Sequence, residues 1–189
     1  MGQDKASMRV GNRPLAGIVA DSLAPFASEV LLAGAPVPGV GGRVVLDPSL
    51  IGGGAYGGPV AGLVAALGAA RTPYLVAAAC DMPALVIDLV VHLVRRLDAE
   101  PGALAALCQG SNRLEPFPIA LRTRALRPLR AAFENGVQAV RDAVGVVRAV
   151  IVEPPEWSTL DPDGRSFVNW NVPEDVRQPP RPRPTIAPL

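Results

Sequence analysis

Residues 73–85 read PYLVAAACDMPAL, and the fold turns on how this stretch is taken. The run from Pro73 to Cys80 is continuously apolar and of strand length. That pattern predicts a central parallel strand buried on both faces. Asp81 follows directly, and Pro83 stops the strand and fixes the turn. In open α/β sheets ligands bind at the carboxyl ends of strands, so a carboxylate here faces the crevice. Two roles fit Asp81 at this point. It can hold a magnesium ion, which takes one or two protein carboxylates and otherwise water and phosphate oxygens. Equally, it can cap the helix that follows.

Outward from this stretch, short apolar runs alternate with amphipathic ones. Helices are predicted over 13–27, 58–71, 84–97, 125–136 and 137–145, and strands over 29–35, 42–47, 103–109, 115–123 and 148–153. Pro59 suits the first turn of its helix, and Gly136 suits a helix end. The alternation predicts a three-layer α/β/α sandwich with a mainly parallel sheet, in one domain over residues 1–176. The proline-rich segment 177–189 lacks apolar periodicity and is expected to be a disordered or extended tail.

Composition narrows the function. The chain has 189 residues, 49% of them hydrophobic, and a formal net charge of +1. It can bury a sizeable core, and it has no global attraction for nucleic acid or an anionic membrane. Cys80 and Cys108 form neither a disulfide framework nor a metal-ligand spacing. With His92 as the sole histidine, a tetrahedral zinc site lacks ligands. Cys80, in an apolar run, reads as a buried thiol in a reducing compartment. The longest apolar helix is interrupted by Asp88 and His92 and is too short for a bilayer. No signal-peptide pattern is present, and the opening MGQDKAS misses a myristoylation signal at Ala6. A cytoplasmic protein is expected.

Two further stretches carry chemistry. In LDPSLIGGGAYGGPVAGL (46–63), Asp47 ends a strand on the crevice side. The glycines permit close backbone approach to a ligand, and the following helix N-terminus favours anions; a plain linker is the alternative. In FVNWNVPEDV (167–176), Asn169 and Asn171 would share one face of a strand. They could coordinate a metal or read a heterocycle, or simply form an edge strand leading into a helix. His92 shares a helix stripe with Asp88, Arg95 and Arg96 and should face solvent. Glu115 starts a strand after a polar turn and could reach a substrate, though a turn role is favoured; Trp157 and Phe167 read as packing residues.

Together, "MGQDKA", "VVLD", "GGPVAGLVAAL", "ACDMP" and "FVNWNVPED", in this order, resemble the molybdenum cofactor guanylyltransferase family of Rossmann-like nucleotidyltransferases. The resemblance covers Met1 to about Val176. It implies transfer of GMP from GTP to the phosphate of molybdenum-molybdopterin, with release of pyrophosphate and Mg²⁺ as cofactor. Lys5 matches a lysine on the nucleotide phosphates. Asp81 matches the catalytic aspartate that holds Mg²⁺ and contacts the nucleotide. Asp47, Gly58 and Pro59 match nucleotide-binding positions, with Asp47 suited to the guanine edge. Asn169 and Asn171 match asparagines near the pterin. Molybdenum cofactor insertion proteins or chaperones are further partners in keeping with this reading; nucleic acid and membrane are not.

The family pattern places a strand and the front half of a Gly-Gly-x-Ser-x-Arg loop before the residues matching Met1. Such a strand would be central, so its neighbours are expected to show open ladder edges and exposed apolar surface, and the chain as written to be poorly stable and weakly active. The segment LLAGAP also lacks an asparagine that some members carry. Two alternatives stay open: a cytidylyltransferase of the same cofactor, and a noncatalytic truncated homologue. A dinucleotide-binding oxidoreductase is disfavoured, because no Gly-x-Gly-x-x-Gly follows a strand.

Overall fold

In the computed structural model, which describes residues 5–46 and 57–171, the apolar run at 73–80 contributes a strand whose side chains divide between two cores. This strand, Tyr74–Ala77, is the fifth in chain order. Before it come β1 (Arg9–Val10), β2 (Arg13–Pro14), α1 (Leu15–Leu23), β3 (Leu31–Ala33), β4 (Arg43–Val45) and α2 (Gly58–Ala69). After β5 come α3 (Ile87–Asp98), β6 (Ala105–Gln109), β7 (Leu114–Arg122), α4 (Leu126–Glu134), α5 (Val140–Val144), β8 (Ala149–Val152) and the short α6 (Pro154–Trp157). Each strand and helix expected over residues 13–153 is present in the described part, with ends shifted by a few residues. The β1–β2 hairpin and α6 were not foreseen.

The main sheet has four strands in the order β5-β7-β6-β8. β7 runs antiparallel to both β5 and β6, and β8 pairs parallel with β6, so three of the four strands share one direction. Alternation then sorts the side chains. Leu75, Ala77, Ala105, Leu107, Ile119 and Leu121 meet α2, α4 and α5 on one face. Val76, Ala106, Cys108, Ala120 and Val152 meet α3 and Trp157 on the other. The result is the expected three-layer sandwich.

The helices form where burial and end effects agree. On α3, Leu89, Leu93 and Leu97 recur every four residues and are fully buried. Each such leucine stabilises the fold by about 1.5–3 kcal/mol. Asp88 in the first turn and Arg95 and Arg96 in the last complement the helix dipole. α4 ends on Gly136 at φ 85°. Gly136 N–H bonds the Phe133 carbonyl at 2.9 Å and Val137 N–H bonds the Ala132 carbonyl at 3.0 Å, which is the Schellman pattern.

Three expectations need correction. β5 is not a central parallel strand buried on both faces. Among the described residues it pairs with β7 alone, antiparallel, and all four of its side chains are half-buried. Helical layers cover its faces, but one lateral edge pairs with no strand among the described residues. Cys80 is half-buried, whereas Cys108 is the buried thiol. His92 does not point freely into solvent: it lies 2.6 Å from Glu156 of α6, which also pairs with Arg96 at 2.7 Å.

β3 and β4 form a separate parallel pair. α2 packs on β3, β4 and β5 and so spans both sheets. Arg43 fastens the small sheet, donating to Glu29 (2.9 Å) and to the Ala69 carbonyl at the end of α2 (2.7 Å). Among the described residues no strand pairs with the outer edge of β3 or of β5. No helix among the described residues is long and apolar enough to cross a membrane. Residues 177–189 lie outside the described part.

Candidate active site

Where the chain leaves β5 and enters β7, at the same end of the sheet, a cleft of about 340 Å³ opens. One wall is the turn after β5, represented by Ala79 and Met82. A second is the start of β7, with Arg113, Glu115 and Phe117. The third is the segment after Phe167, which brings Asn169 and Asn171. Arg141 of α5 closes the remaining side.

Asp81 sits in the turn between Cys80 and Met82 and is nearly buried, at 6% exposure. It does not cap a helix: α3 begins six residues later, behind Val86. Its carbonyl accepts a hydrogen bond from the Trp170 N–H at 2.8 Å, so the aspartate and the two asparagines are held together through the main chain. Val86 N–H donates to Ser166 Oγ at 2.9 Å, a second tie between the same two segments.

The segment carrying the asparagines is shaped by Asp161, which is 1% exposed. Its carboxylate accepts from the N–H groups of Arg165 (3.1 Å) and Ser166 (2.8 Å), forming a tight turn through Gly164. Trp157 stacks edge-on against Phe167, with ring centroids 5.0 Å apart, and donates its indole N–H to the Gln109 carbonyl at 2.8 Å. Packing roles for Trp157 and Phe167 are thus as expected. Asn169 and Asn171 are not on a strand: the chain leaves Val168 in extended conformation but joins no ladder. Extended backbone still alternates, which accounts for both asparagines reaching one cleft while Trp170 N–H turns to Asp81.

Glu115 is more than a turn residue. It begins β7 buried, at 8% exposure, against Gly110. A Cβ at Gly110 would come within 2.4 Å of Glu115 Oε1, so only glycine lets the carboxylate tuck in there. The Glu115 charge also adds to the burial that pushes the Cys108 thiol up to about 12.

Gly58 and Pro59 form the first turn of α2. A Cβ at Gly58 would lie 3.9 Å from the Gln138 carbonyl, which places this helix start beside the loop leading to α5. Lys5 is placed by its backbone in a short 3₁₀ turn, Lys5–Ser7. Asp47 lies outside the described residues. Sequence reasoning did not single out Arg113, Arg141, Phe117, Asp161 or Ser166. For Asp161 a signal existed: Asp-Pro-Asp-Gly is a turn sequence whose aspartates bond nearby backbone N–H groups. A larger open groove of about 510 Å³ runs along α4. It lies by Thr123 at the far end of β7, away from Asp81.

The architecture is that of solved nucleotidyltransferases. It superposes on molybdopterin-guanine dinucleotide biosynthesis protein A from Archaeoglobus fulgidus with a TM-score of 0.74, at 21% identity over 94% of this chain and 89% of that one. It also matches 2-C-methyl-D-erythritol 4-phosphate cytidylyltransferase from Thermus thermophilus, with a TM-score of 0.60 and 21% identity over 92% and 90% of the two chains.

Residues 1–150 match the MobA-like NTP transferase domain, and the chain belongs to that family. A molybdenum cofactor guanylyltransferase from Burkholderia vietnamiensis is 34% identical over 185 residues, covering 90% of this chain and 83% of that protein. One from Shewanella halifaxensis is 26% identical over 181 residues, covering 94% and 85%.

Proposed function

We propose that this chain transfers GMP from GTP to the phosphate of molybdenum-molybdopterin, giving the guanine dinucleotide form of the cofactor and pyrophosphate. The observation that carries this reading is the hydrogen bond from Trp170 N–H to the Asp81 carbonyl, which joins the aspartate turn to Asn169 and Asn171 at one cleft. Family membership supports the class of reaction, and the names of the relatives support the substrates.

In this reading a terminal oxygen of the acceptor phosphate attacks the α-phosphorus of GTP. One P–O bond forms, and the bond from the α-phosphorus to the bridging oxygen breaks. The electron pair leaves with pyrophosphate. The attacking phosphate is already ionised at neutral pH, so no general base is needed. Lys5 acts as a point charge on the nucleotide phosphates. Gly58 and Pro59 present the N-terminal end of α2 to the same ligand. Asp47 accepts from the ring N–H and amino group of guanine, and Asn169 and Asn171 hold the pterin side.

Asp81 fits a magnesium site. Mg²⁺ is commonly held by one or two carboxylates, with water and substrate phosphates completing its shell. Asp81 offers one nearly buried carboxylate. Among the described residues no three acidic, histidine or cysteine side chains cluster into an all-protein cage. When bound there, the ion neutralises charge on the phosphate oxygens and aligns them. The reaction needs only soluble substrates, consistent with a cytoplasmic enzyme.

The test is GMP transfer from radiolabelled GTP to molybdenum-loaded molybdopterin with Mg²⁺, run in parallel with CTP. It uses this chain and a form extended in frame at its amino end by a strand and a Gly-Gly-x-Ser-x-Arg segment. Product from GTP and not from CTP, at least in the extended form, is the expected result. Absence of GTP binding in both forms overturns the reading.

A further inference from the structure

Most of the arginines around the fold have evident structural partners. Arg43, Arg96, Arg122 and Arg148 each reach a carboxylate or a backbone carbonyl. Arg71, Arg95, Arg127 and Arg130 show no carboxylate partner among the described residues, and Arg113 and Arg141 share that condition but differ in place. Both line the cleft beside Asn169 and Asn171, and neither pairs with a carboxylate among the described residues. The Nε of Arg141 is buried and has no hydrogen-bond partner there. A buried guanidinium donor left unmatched is costly, unless the site is built to receive an acceptor.

The rest of the cleft indicates the ligand. Phe117 and Phe167 give it aromatic walls, suited to a flat ring. Asn169 and Asn171 line it with side-chain amides, a group type that carries both a donor and an acceptor for a heterocycle edge. Two guanidiniums add a fork for a phosphate, which arginine binds in a directed, bidentate way. The cleft therefore combines receptors for a ring and for an anion on one molecule.

We infer that Arg113 and Arg141 clamp the phosphate of the acceptor and aim it at the nucleotide. The clamp rests on the proposed transferase reading and deepens it, because it separates the acceptor phosphate from the triphosphate. The triphosphate is served instead by the start of α2 and by Asp81. Arg141 is well placed to couple the two: α5 follows the loop whose Gln138 carbonyl faces Gly58. The clamp takes no part in bond making beyond holding the attacking dianion, so the atom balance of the transfer is unchanged.

The test measures binding by calorimetry on the full chain and its variants Arg141→Ala, Arg141→Lys and Arg113→Ala. The probes are molybdopterin, its dephosphorylated form, and GTP with Mg²⁺. The unaltered chain should prefer the phosphorylated pterin by roughly ten- to a hundredfold, the range that charge-assisted hydrogen bonds support. Each alanine variant should lose most of that preference while binding GTP as before, and Arg141→Lys should restore part of it. A phosphate preference that survives both alanine substitutions overturns the clamp and leaves the transferase reading standing. GTP affinity falling in step with pterin affinity also overturns it, as a general folding defect. If the unaltered chain binds GTP but neither pterin, the acceptor assignment fails and the clamp fails with it.

Discussion

The N–H of Trp170 donates to the carbonyl of Asp81 across 2.8 Å, although the two residues lie 89 positions apart in the chain. The bond uses only backbone atoms. It therefore does not depend on which side chains stand at the two positions.

Replacement of Asp81 by asparagine should separate chemistry from architecture. The variant is nearly isosteric and keeps the carbonyl that Trp170 bonds. GMP transfer should fall roughly a hundredfold or more, the scale set by losing one group that stabilises charge in the transition state. The thermal midpoint should stay close to that of the parent. Initial rates at saturating Mg²⁺ and a melting curve check both parts. Unchanged turnover would remove Asp81 from the site.

Asp161 should matter for folding more than its distance from the cleft implies. Its buried carboxylate satisfies the N–H groups of Arg165 and Ser166. Alanine at this position strands one buried and one partly buried donor, a loss of about 2–4 kcal/mol in total. For a domain of this size that corresponds to a fall in Tm of roughly 5–15 °C. Pterin binding should weaken as well, because the same turn delivers Asn169. Differential scanning calorimetry of Asp161→Ala gives the number, and a shift under 2 °C, by this estimate, would contradict the role assigned to the turn.

Cys108 should make stability fall in alkali. Burial, aided by the Glu115 charge, pushes its thiol up from 9.0 to about 12. The folded state therefore keeps a proton that the unfolded chain releases. The thiol's contribution is complete below about pH 9 and is lost as pH climbs from 9 toward 12, at up to about 1.4 kcal/mol per pH unit. Urea unfolding between pH 8 and 10.5 should show a steeper decline for the parent than for Cys108→Ala. Parallel curves would place the alkaline loss elsewhere. In the native protein at pH 8, an alkylating reagent should label Cys80 well before Cys108.

Arg43 should control one part of the molecule and spare the rest. Its guanidinium joins Glu29 to the last turn of α2, in a setting where both partners are partly exposed. Arg43→Ala should cost about 1 kcal/mol after allowance for solvent screening. Amide exchange should accelerate at Leu31–Ala33 and Arg43–Val45, while β6 and β7 keep their protection. Uniform acceleration across both sheets would mean that the two unfold as one unit.

Much of this fold was legible because it is written in periodicity. Leu89, Leu93 and Leu97 declare a helix by spacing, and Ala105–Gln109 declares a strand by its unbroken apolar run. Strand direction carries no such mark. Nothing in EPFPIALRT distinguishes an antiparallel β7 from a parallel one, and the lateral edge of β5 depends on which strands lie beside it. In the candidate site, Asp81 stood out because an aspartate ends a buried strand. Asn169 and Asn171 stood out by their alternation, which holds for extended backbone with or without a ladder. Ser166 could not be seen, since its partner Val86 is eighty positions away. Arg113 and Arg141 look like ordinary surface charges until the fold brings them to one cleft.

The outer edges of β3 and β5 bear on how these molecules behave in company. Among the described residues each edge presents a row of backbone donors and acceptors in strand geometry, and α2 packs against both strands. Such rows are templates on which another chain can extend a sheet. Crowding should therefore convert the protein from a solution of separate domains toward edge-to-edge assemblies. Material that stays clear when dilute should turn sticky on concentration, with the sheet as the adhesive.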